Sequence, residues 1–248
     1  MNREYKFVIM ALLILLPVIL SAQTPFPKIS LGVEESENPT DFVMSIQILA
    51  LMTILSLAPS ILIMMTSFTR IIIVFHFLRA ALATNSVPSN QILIGLALFM
   101  TLFIMKPVLT QINDDALQPY LSEEITQDDA ITKAGVPVRT FMLNQTREAD
   151  LQLFIDLKGD GEVKTREELT FSTIIPAFII SELKTAFQIG FLLYLPMLLL
   201  DMVVASVLLS MGMMMLPPVM ISMPFKILLF VLVDGWNLIV KSLVEGFV

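Results

Sequence analysis

Residues 176–226 constrain this chain more than any other stretch, because ionisable side chains lie inside a nearly continuous apolar sequence. The charged residues are Glu182, Lys184, Asp201 and Lys226. Ionisable groups are costly in a membrane, and they are rare there without a partner or a water-filled cavity. The pattern therefore indicates a membrane assembly with something passing through it, rather than a simple anchor.

The composition also indicates an integral membrane protein. Of the 248 residues, 56% are hydrophobic and 15% are charged, and the mean hydropathy is +0.84. Soluble domains average about 45–50% apolar and about 25% charged residues. There is no cysteine, which excludes disulfides, thiolate metal ligands and a cysteine nucleophile. The net charge of −7 arises in residues 111–170, where thirteen acids face six bases, and this acidity argues against a nucleic-acid partner.

Residues 1–22 have the features of a secretory signal peptide. Arg3 and Lys6 precede an apolar core, and Ser21 and Ala22 follow that core. The alternative is an uncleaved first membrane helix. Residues 23–41 are then predicted to form a polar linker.

Two hydrophobic stretches flank the acidic segment, and each is long enough for a helical hairpin at about 20 residues per crossing. The first covers residues 42–110, and the second covers residues 171–248 and contains the methionine-rich loop, with Asp201 as one candidate position for its turn. Within the first stretch, Pro59 should kink or end one helix, and the next helix should begin after Pro88.

Arg70 and Arg79 lie between the first two predicted helices without an acid nearby, and basic loops favour the cytoplasmic side. This topology puts residues 111–170 on the other side of the membrane as a small, acidic, extracytoplasmic helical domain. We therefore predict an all-α integral membrane protein, with about four hydrophobic helices arranged as two hairpins around that domain.

A stretch beginning at Asp156 imitates a calcium-binding loop. Asp156 and Glu167 match the two ends of the twelve-residue pattern, but Lys158 stands where a ligand oxygen is required. An acidic turn between two helices explains the stretch better than calcium binding. His76 is the only histidine, so no zinc site is expected either. With no nucleophile–base pair or phosphate-binding loop, we predict neither an enzyme nor a cofactor.

Glu182 and Lys226 are predicted to form an intramembrane pair, within one subunit or between two. If the second hairpin turns near Asp201, its helices are antiparallel and both charges lie away from the turn. Pairing would avoid the cost of two isolated charges. The alternative is that each side chain extends separately to a membrane interface. Lys184 and Asp201 are further intramembrane charges.

A methionine cluster precedes two consecutive prolines. Its members are Met211, Met213, Met214 and Met215, and the prolines are Pro217 and Pro218. The prolines argue against a continuous helix, and non-helical backbone at membrane depth needs a covering of protein or a water-filled cavity. Methionine often fills irregular apolar space, so packing is one interpretation. The other is a soft seal that deforms around a passing peptide.

Several segments together resemble the FliP family of flagellar export proteins. In the second hairpin they are PAFIISELKTAFQIGF at 176–191, LPMLLLD at 195–201, MGMMMLPP at 211–218, PFK at 224–226 and LVDGW at 232–236. In the first hairpin they are RIIIVF at 70–75, LR at 78–79 and NQILIGLALF at 90–99. The matching signature residues are Pro176, Phe178, Phe187, Gly190, Phe191, Pro217, Pro218, Phe225, Asp234, Gly235 and Trp236. The likeness covers about residues 41–246, apart from the polar domain.

The resemblance implies a core subunit of the flagellar type III protein export gate, in the bacterial inner membrane and the flagellar basal body. Family members form a homo-oligomeric ring with FliQ-like and FliR-like subunits and with other export components, and unfolded protein substrates pass through that ring. The resemblance also implies a gate made by Met213, Met214 and Met215, with Met211 beside them. It further implies that the hairpins pack into a helical assembly, so not every helix need cross the lipid.

Three alternatives remain open at this point. The first is an export gate subunit of an injectisome, which is homologous to the flagellar one. The second is an ion or solute transporter that uses Glu182, Asp201 and Lys226 as a charge relay. The third is a structural scaffold in which the methionines only pack.

Overall fold

The computed structural model describes residues 39–84, 86–158, 169–213 and 215–247, which form helices and connecting turns without a β-strand. The predicted signal peptide, nearly all of the predicted linker, most of the calcium-like turn and Met214 lie outside these residues.

The helices of the described residues follow one another with short connections. They are α1 Pro39–Met64, α2 Phe68–Ala81, α3 Asn90–Ile112, α4 Gln118–Leu121, α5 Gln127–Gln145, α6 Glu148–Lys158, α7 Phe171–Ser210, α8 Pro218–Leu232 and α9 Gly235–Glu245. A π-helical turn, Asn113–Leu117, joins α3 to α4. Pro119 has no N–H to donate to the carbonyl of Asp115, which is a physical reason for the wider turn at this point.

Helices α1 and α3 follow the sequence pattern closely. α1 contains Pro59 and continues past it to Met64, so this proline does not end the helix. α3 begins at Asn90, as expected from Pro88, and Ser89 occupies its N-cap position without a side-chain hydrogen bond to the backbone.

The segment that carries Arg70 and Arg79 was expected to be a loop, and that expectation is wrong because it forms the helix α2. Ile71, Val74 and Leu78 are buried at helical spacing on one face, where they pack against α7, α3 and α9. Since Arg70 lies next to this face, it is buried as well.

The polar segment folds onto the first half of α7. Met142 of α5 and Leu151 of α6 form a core with Ile174, Ala177 and Phe178 of α7. This core joins the small helical domain to a long apolar helix, so the two are parts of one packed structure.

The turn of the second hairpin lies after Ser210, not near Asp201. α7 runs for 40 residues through Asp201, and the chain then turns over residues 211–217. The candidate turn at Asp201 is therefore absent, although the charge interrupts the apolar sequence there. In the fold, partners on α8 neutralise the Asp201 carboxylate, so the helix can continue past it.

By length and composition, two helical stretches could cross a membrane, Asn90–Leu121 and Phe171–Ser210. The pair Pro218–Leu232 and Gly235–Glu245, bent by 64°, would be a third if it counts as one span. The shorter apolar part of α1, Ile46–Ile61, completes the hydrophobic helices of the described residues. The all-α membrane fold predicted from the sequence is thus confirmed.

Candidate functional site

The methionine cluster lies in the turn between α7 and α8. Met213 N–H donates to the carbonyl of Leu208 at 3.0 Å, and Gly212 between the helix end and Met213 has φ of 74°. A left-handed glycine just after the last turn is a common way to end a helix. Pro218 is the first residue of α8, where its missing N–H costs nothing. The predicted break in the helix is therefore present, and its cause is local.

The three described methionines of this turn are exposed rather than packed in the protein core. Met211, Met213 and Met215 are 65%, 44% and 98% exposed. They therefore contribute little to the packing of the described residues, which leave these side chains uncovered.

The two helices that hold this turn are joined by a charge pair. Lys226 Nζ of α8 donates to Asp201 Oδ2 of α7 at 2.7 Å, and Ser222 Oγ donates to Asp201 Oδ1. The Lys226 side chain is almost fully buried, whereas that of Asp201 retains some exposure. Both carboxylate oxygens are satisfied, so these bonds fix the register of α7 against α8.

Glu182 is paired with Arg70, and within this chain the predicted Glu182–Lys226 pair does not form. Arg70 Nε donates to Glu182 Oε2 at 2.8 Å, and Nη2 donates to Oε1. Both residues are buried. The Arg70–Glu182 pair was not predicted because Arg70 was assigned to a loop. In the structure Arg70 belongs to α2, which places its side chain against α7. An arginine can donate two parallel hydrogen bonds to one carboxylate, whereas a lysine ammonium acts as a point charge. Arg70 is therefore a better partner for Glu182 than a lysine would be.

Lys184 forms a third ion pair, with Asp150 of α6. Its Nζ donates to Asp150 Oδ1, and Asp150 is 2% exposed while the Lys184 side chain is 53% exposed. One turn away, Ser181 Oγ accepts from the backbone N–H of Arg147, which lies between α5 and α6. These bonds attach the polar domain to α7.

Sequence reasoning missed Arg70, Asp150 and Gln145 as partners. The signal that could have identified Arg70 was present, since the apolar residues around it recur at helical spacing. No comparable signal marked Asp150 or Gln145, which lie among many polar residues.

Two signature glycines allow aromatic rings to approach the backbone. A Cβ atom at Gly190 would lie 2.4 Å from the ring of Phe77, and one at Gly235 would lie 2.2 Å from the ring of Phe230. Both positions therefore exclude any side chain unless the ring moves.

The other signature residues divide between core and surface. Phe178 is fully buried, and Trp236 packs edge-on against Phe230 with ring centroids 5.6 Å apart. Asp234 has φ of 49° at the break between α8 and α9. Among the signature residues, the aromatic side chains of Phe187, Phe191 and Phe225 are exposed, and that of Trp236 is 37% exposed. The prolines are Pro176 inside α7, Pro217 at the N-cap of α8 and Pro218 at its first position.

Among the residues that the structure describes, no group of three or more His, Cys, Asp or Glu could hold a metal ion. The calcium-like turn lies mostly outside these residues, so the prediction that it does not bind calcium stays a prediction.

Comparison with known proteins gives a consistent result. The model of the FliP family matches residues 51–243. Flagellar biosynthetic protein FliP of Bacillus subtilis is 55% identical over 217 residues, which are 88% of this chain and 98% of the relative. The proteins of the same name from Aquifex aeolicus and Cereibacter sphaeroides are 49% and 51% identical, over 93% and 90% of this chain and 97% and 73% of theirs. The matched length and identity show that this chain belongs to the FliP family.

Proposed function

We propose that this chain, a FliP-family component of flagellar biosynthesis, is a core pore-forming subunit of the flagellar protein export gate. Several copies would surround a conduit in the bacterial inner membrane, and unfolded flagellar subunits would pass through it. The observation that carries this proposal is the exposed methionine turn between the apolar helices α7 and α8.

The proposed mechanism is passive gating without a chemical step. Methionine side chains are apolar, unbranched and adaptable, so a ring of them can exclude ions at rest and deform around many sequences. The residues proposed for the seal are Met213, Met214 and Met215, with Met211 beside them. The energy for export would come from other components of the apparatus.

The proposed partners follow from the apolar surface that the described residues leave uncovered. Exposed apolar side chains continue along the second half of α7 and along α8. We infer that further copies of this chain, FliQ-like and FliR-like subunits and lipid cover these faces. The polar domain would then lie on the extracytoplasmic side. The names of the relatives favour the flagellar apparatus over an injectisome.

The charge pairs support a gate over a transporter. Glu182, Asp201 and Lys226 each have a salt-bridge partner within the chain. A charge relay needs groups that exchange protons or ions with a pathway. Side chains that are already held in salt bridges are better suited to fixing the positions of helices than to conducting ions.

The test is conductance of the gate complex with altered methionines. Replacing Met213, Met214 and Met215 together with Ala should raise ion leakage through the co-expressed complex, while native mass spectrometry shows the same assembly. The matched control is Met220→Ala, because Met220 is also exposed, at 69%, but lies on α8 outside the turn. Unchanged leakage with normal export in the triple variant would contradict the gate and favour the scaffold alternative.

A further inference from the structure

Gly246 and Phe247, the two residues after α9, dock into a socket made by other elements. Arg70 Nη1 of α2 donates to the carbonyl oxygen of Gly246 at 3.0 Å. Gln145 Nε2, at the end of α5, donates to the carbonyl oxygen of Phe247 at 3.3 Å. Side chains from two distant parts of the chain therefore hold two successive carbonyl groups.

The ring of Phe247 adds aromatic contacts to these hydrogen bonds. The Arg70 guanidinium carbon lies 3.8 Å from the centroid of this ring, within the range of a cation–π interaction. The ring also stacks on Phe141 of α5, with centroids 6.1 Å apart and an angle of 20° between the planes. Phe247 thus contacts both the α2 and the α5 sides of the socket.

The socket does not need Gly246 or Phe247 to neutralise its charge. Arg70 keeps its bidentate pair with Glu182, and its Nη2 also donates to Gln145 Oε1 at 3.0 Å. Departure of Phe247 would break hydrogen bonds and a ring contact, but it would leave no unpaired buried charge. Breaking a buried ion pair is costly because one charge is left without its partner. Release of Phe247 avoids that cost.

Helix α9 is attached to α8 by a bend that can serve as a pivot. The two helices meet at 64°, and Asp234 between them adopts the left-handed conformation. Beyond the bend, Ile239 and Leu243 pack α9 against the core that includes α2, whereas Lys241 and Glu245 on its other side are exposed. An eleven-residue helix is thus held by a narrow apolar face and by the socket at its far end.

We propose that Gly246 and Phe247 are a latch that holds α9 against α2, and that Arg70, Gln145 and Phe141 are its receptor. With the latch closed, α8 and α9 stay bent. With the latch open, α9 pivots at Asp234 and the buried side chain of Leu243 becomes accessible. Because α8 begins directly after the methionine turn, movement of α9 against α8 would influence the gate. That last consequence rests on the proposed export function, whereas the latch itself does not.

The latch can be tested by thiol accessibility, since the natural chain contains no cysteine. Leu243→Cys reports whether α9 is docked, and Leu151→Cys in the separate α5–α6–α7 core reports whether the fold stays closed. Each is measured in the full-length complex with a maleimide reagent, with and without Phe247→Ala. Lys241→Cys, at an exposed position on α9, gives the rate for a fully accessible thiol.

We expect Phe247→Ala to raise the labelling rate of Leu243→Cys about tenfold and to leave that of Leu151→Cys unchanged. Gln145→Ala, which alters the receptor and leaves Phe247 intact, should raise the Leu243→Cys rate in the same direction. Equal increases at Leu243→Cys and Leu151→Cys would mean general unfolding and would overturn the latch. No increase at Leu243→Cys in either variant would overturn it as well. Neither result depends on leakage through the methionine turn, so the latch and the gate can fail separately.

Discussion

The two halves of α7 are both apolar in sequence, yet they have different surroundings in the fold. Up to Gly190, one residue in about every two or three is buried, and these residues recur at helical spacing. Beyond it, only Met197 and Leu208 of the helix are buried. The first half is part of the protein core, while the second half exposes apolar side chains that the described residues leave uncovered.

Hydropathy therefore does not distinguish a segment of the protein core from a surface that contacts lipid or partners. The two halves of α7 differ in the helices to which their charged residues are paired. The first half uses Glu182 and Lys184 to bind α2 and α6, whereas the second half uses Asp201 to bind α8 alone. Substitutions in the first half should therefore change stability most, and those near the methionine turn should change function most.

The largest effect is expected for Glu182→Ala. This change leaves the Arg70 guanidinium buried without its carboxylate, and breaking a buried pair on one side costs about 3–5 kcal/mol. The midpoint of denaturant unfolding in detergent should fall accordingly. Glu245→Ala is the control, because Glu245 and its partner Lys241 are both exposed. A loss no larger than that of the control would show that the pair is not important for stability.

A smaller effect is expected in the second half of α7, for Asp201→Ala. The Lys226 ammonium loses its partner, but Asp201 lies at a partly exposed position, so water can replace some of the interaction. We expect a loss of about 2 kcal/mol, in the range for hydrogen bonds to charged groups. The double variant Asp201→Leu with Lys226→Met should recover most of this loss. If the double variant is as unstable as the single one, the charges have a role beyond neutralising each other.

Gly190→Ala tests the close contact where the two halves meet. The new methyl group would lie 2.4 Å from the ring of Phe77, and overpacking of this kind costs about 1–3 kcal/mol. Gly95→Ala in α3 is the matched control, since a Cβ there has open space and alanine favours a helix. Thermal unfolding should rank the Gly190 variant below the wild type and the Gly95 variant at or above it. The opposite order would mean that the Phe77 ring moves freely.

The smallest effect on stability is expected for Met215→Ala. The Met215 side chain is 98% exposed and is not packed against the described residues, so the unfolding midpoint of the isolated chain in detergent should not change. A decrease as large as that of Gly190→Ala would show that the turn contributes to the fold.

The sequence predicted the local features of the fold well. The start of α3 after Pro88, the break at the methionine cluster and the helical character of the polar segment all depend on residues close together in the chain. Proline and glycine fix the backbone at such points regardless of the rest of the fold. The family resemblance rested on motifs of the same local kind, and it too was confirmed.

The amino-acid sequence alone identifies an all-α membrane protein whose buried charges need partners and whose methionine cluster lies at a break between helices. It does not identify which charges pair, because pairing depends on the face that each helix turns toward its neighbour. Arg70 reaches Glu182 across 112 positions of sequence, and Lys226 reaches Asp201 across 25. In an apolar environment every charged side chain requires a partner, but this requirement does not favour one oppositely charged residue over another. The choice among them was made by the packing of α2, α7 and α8.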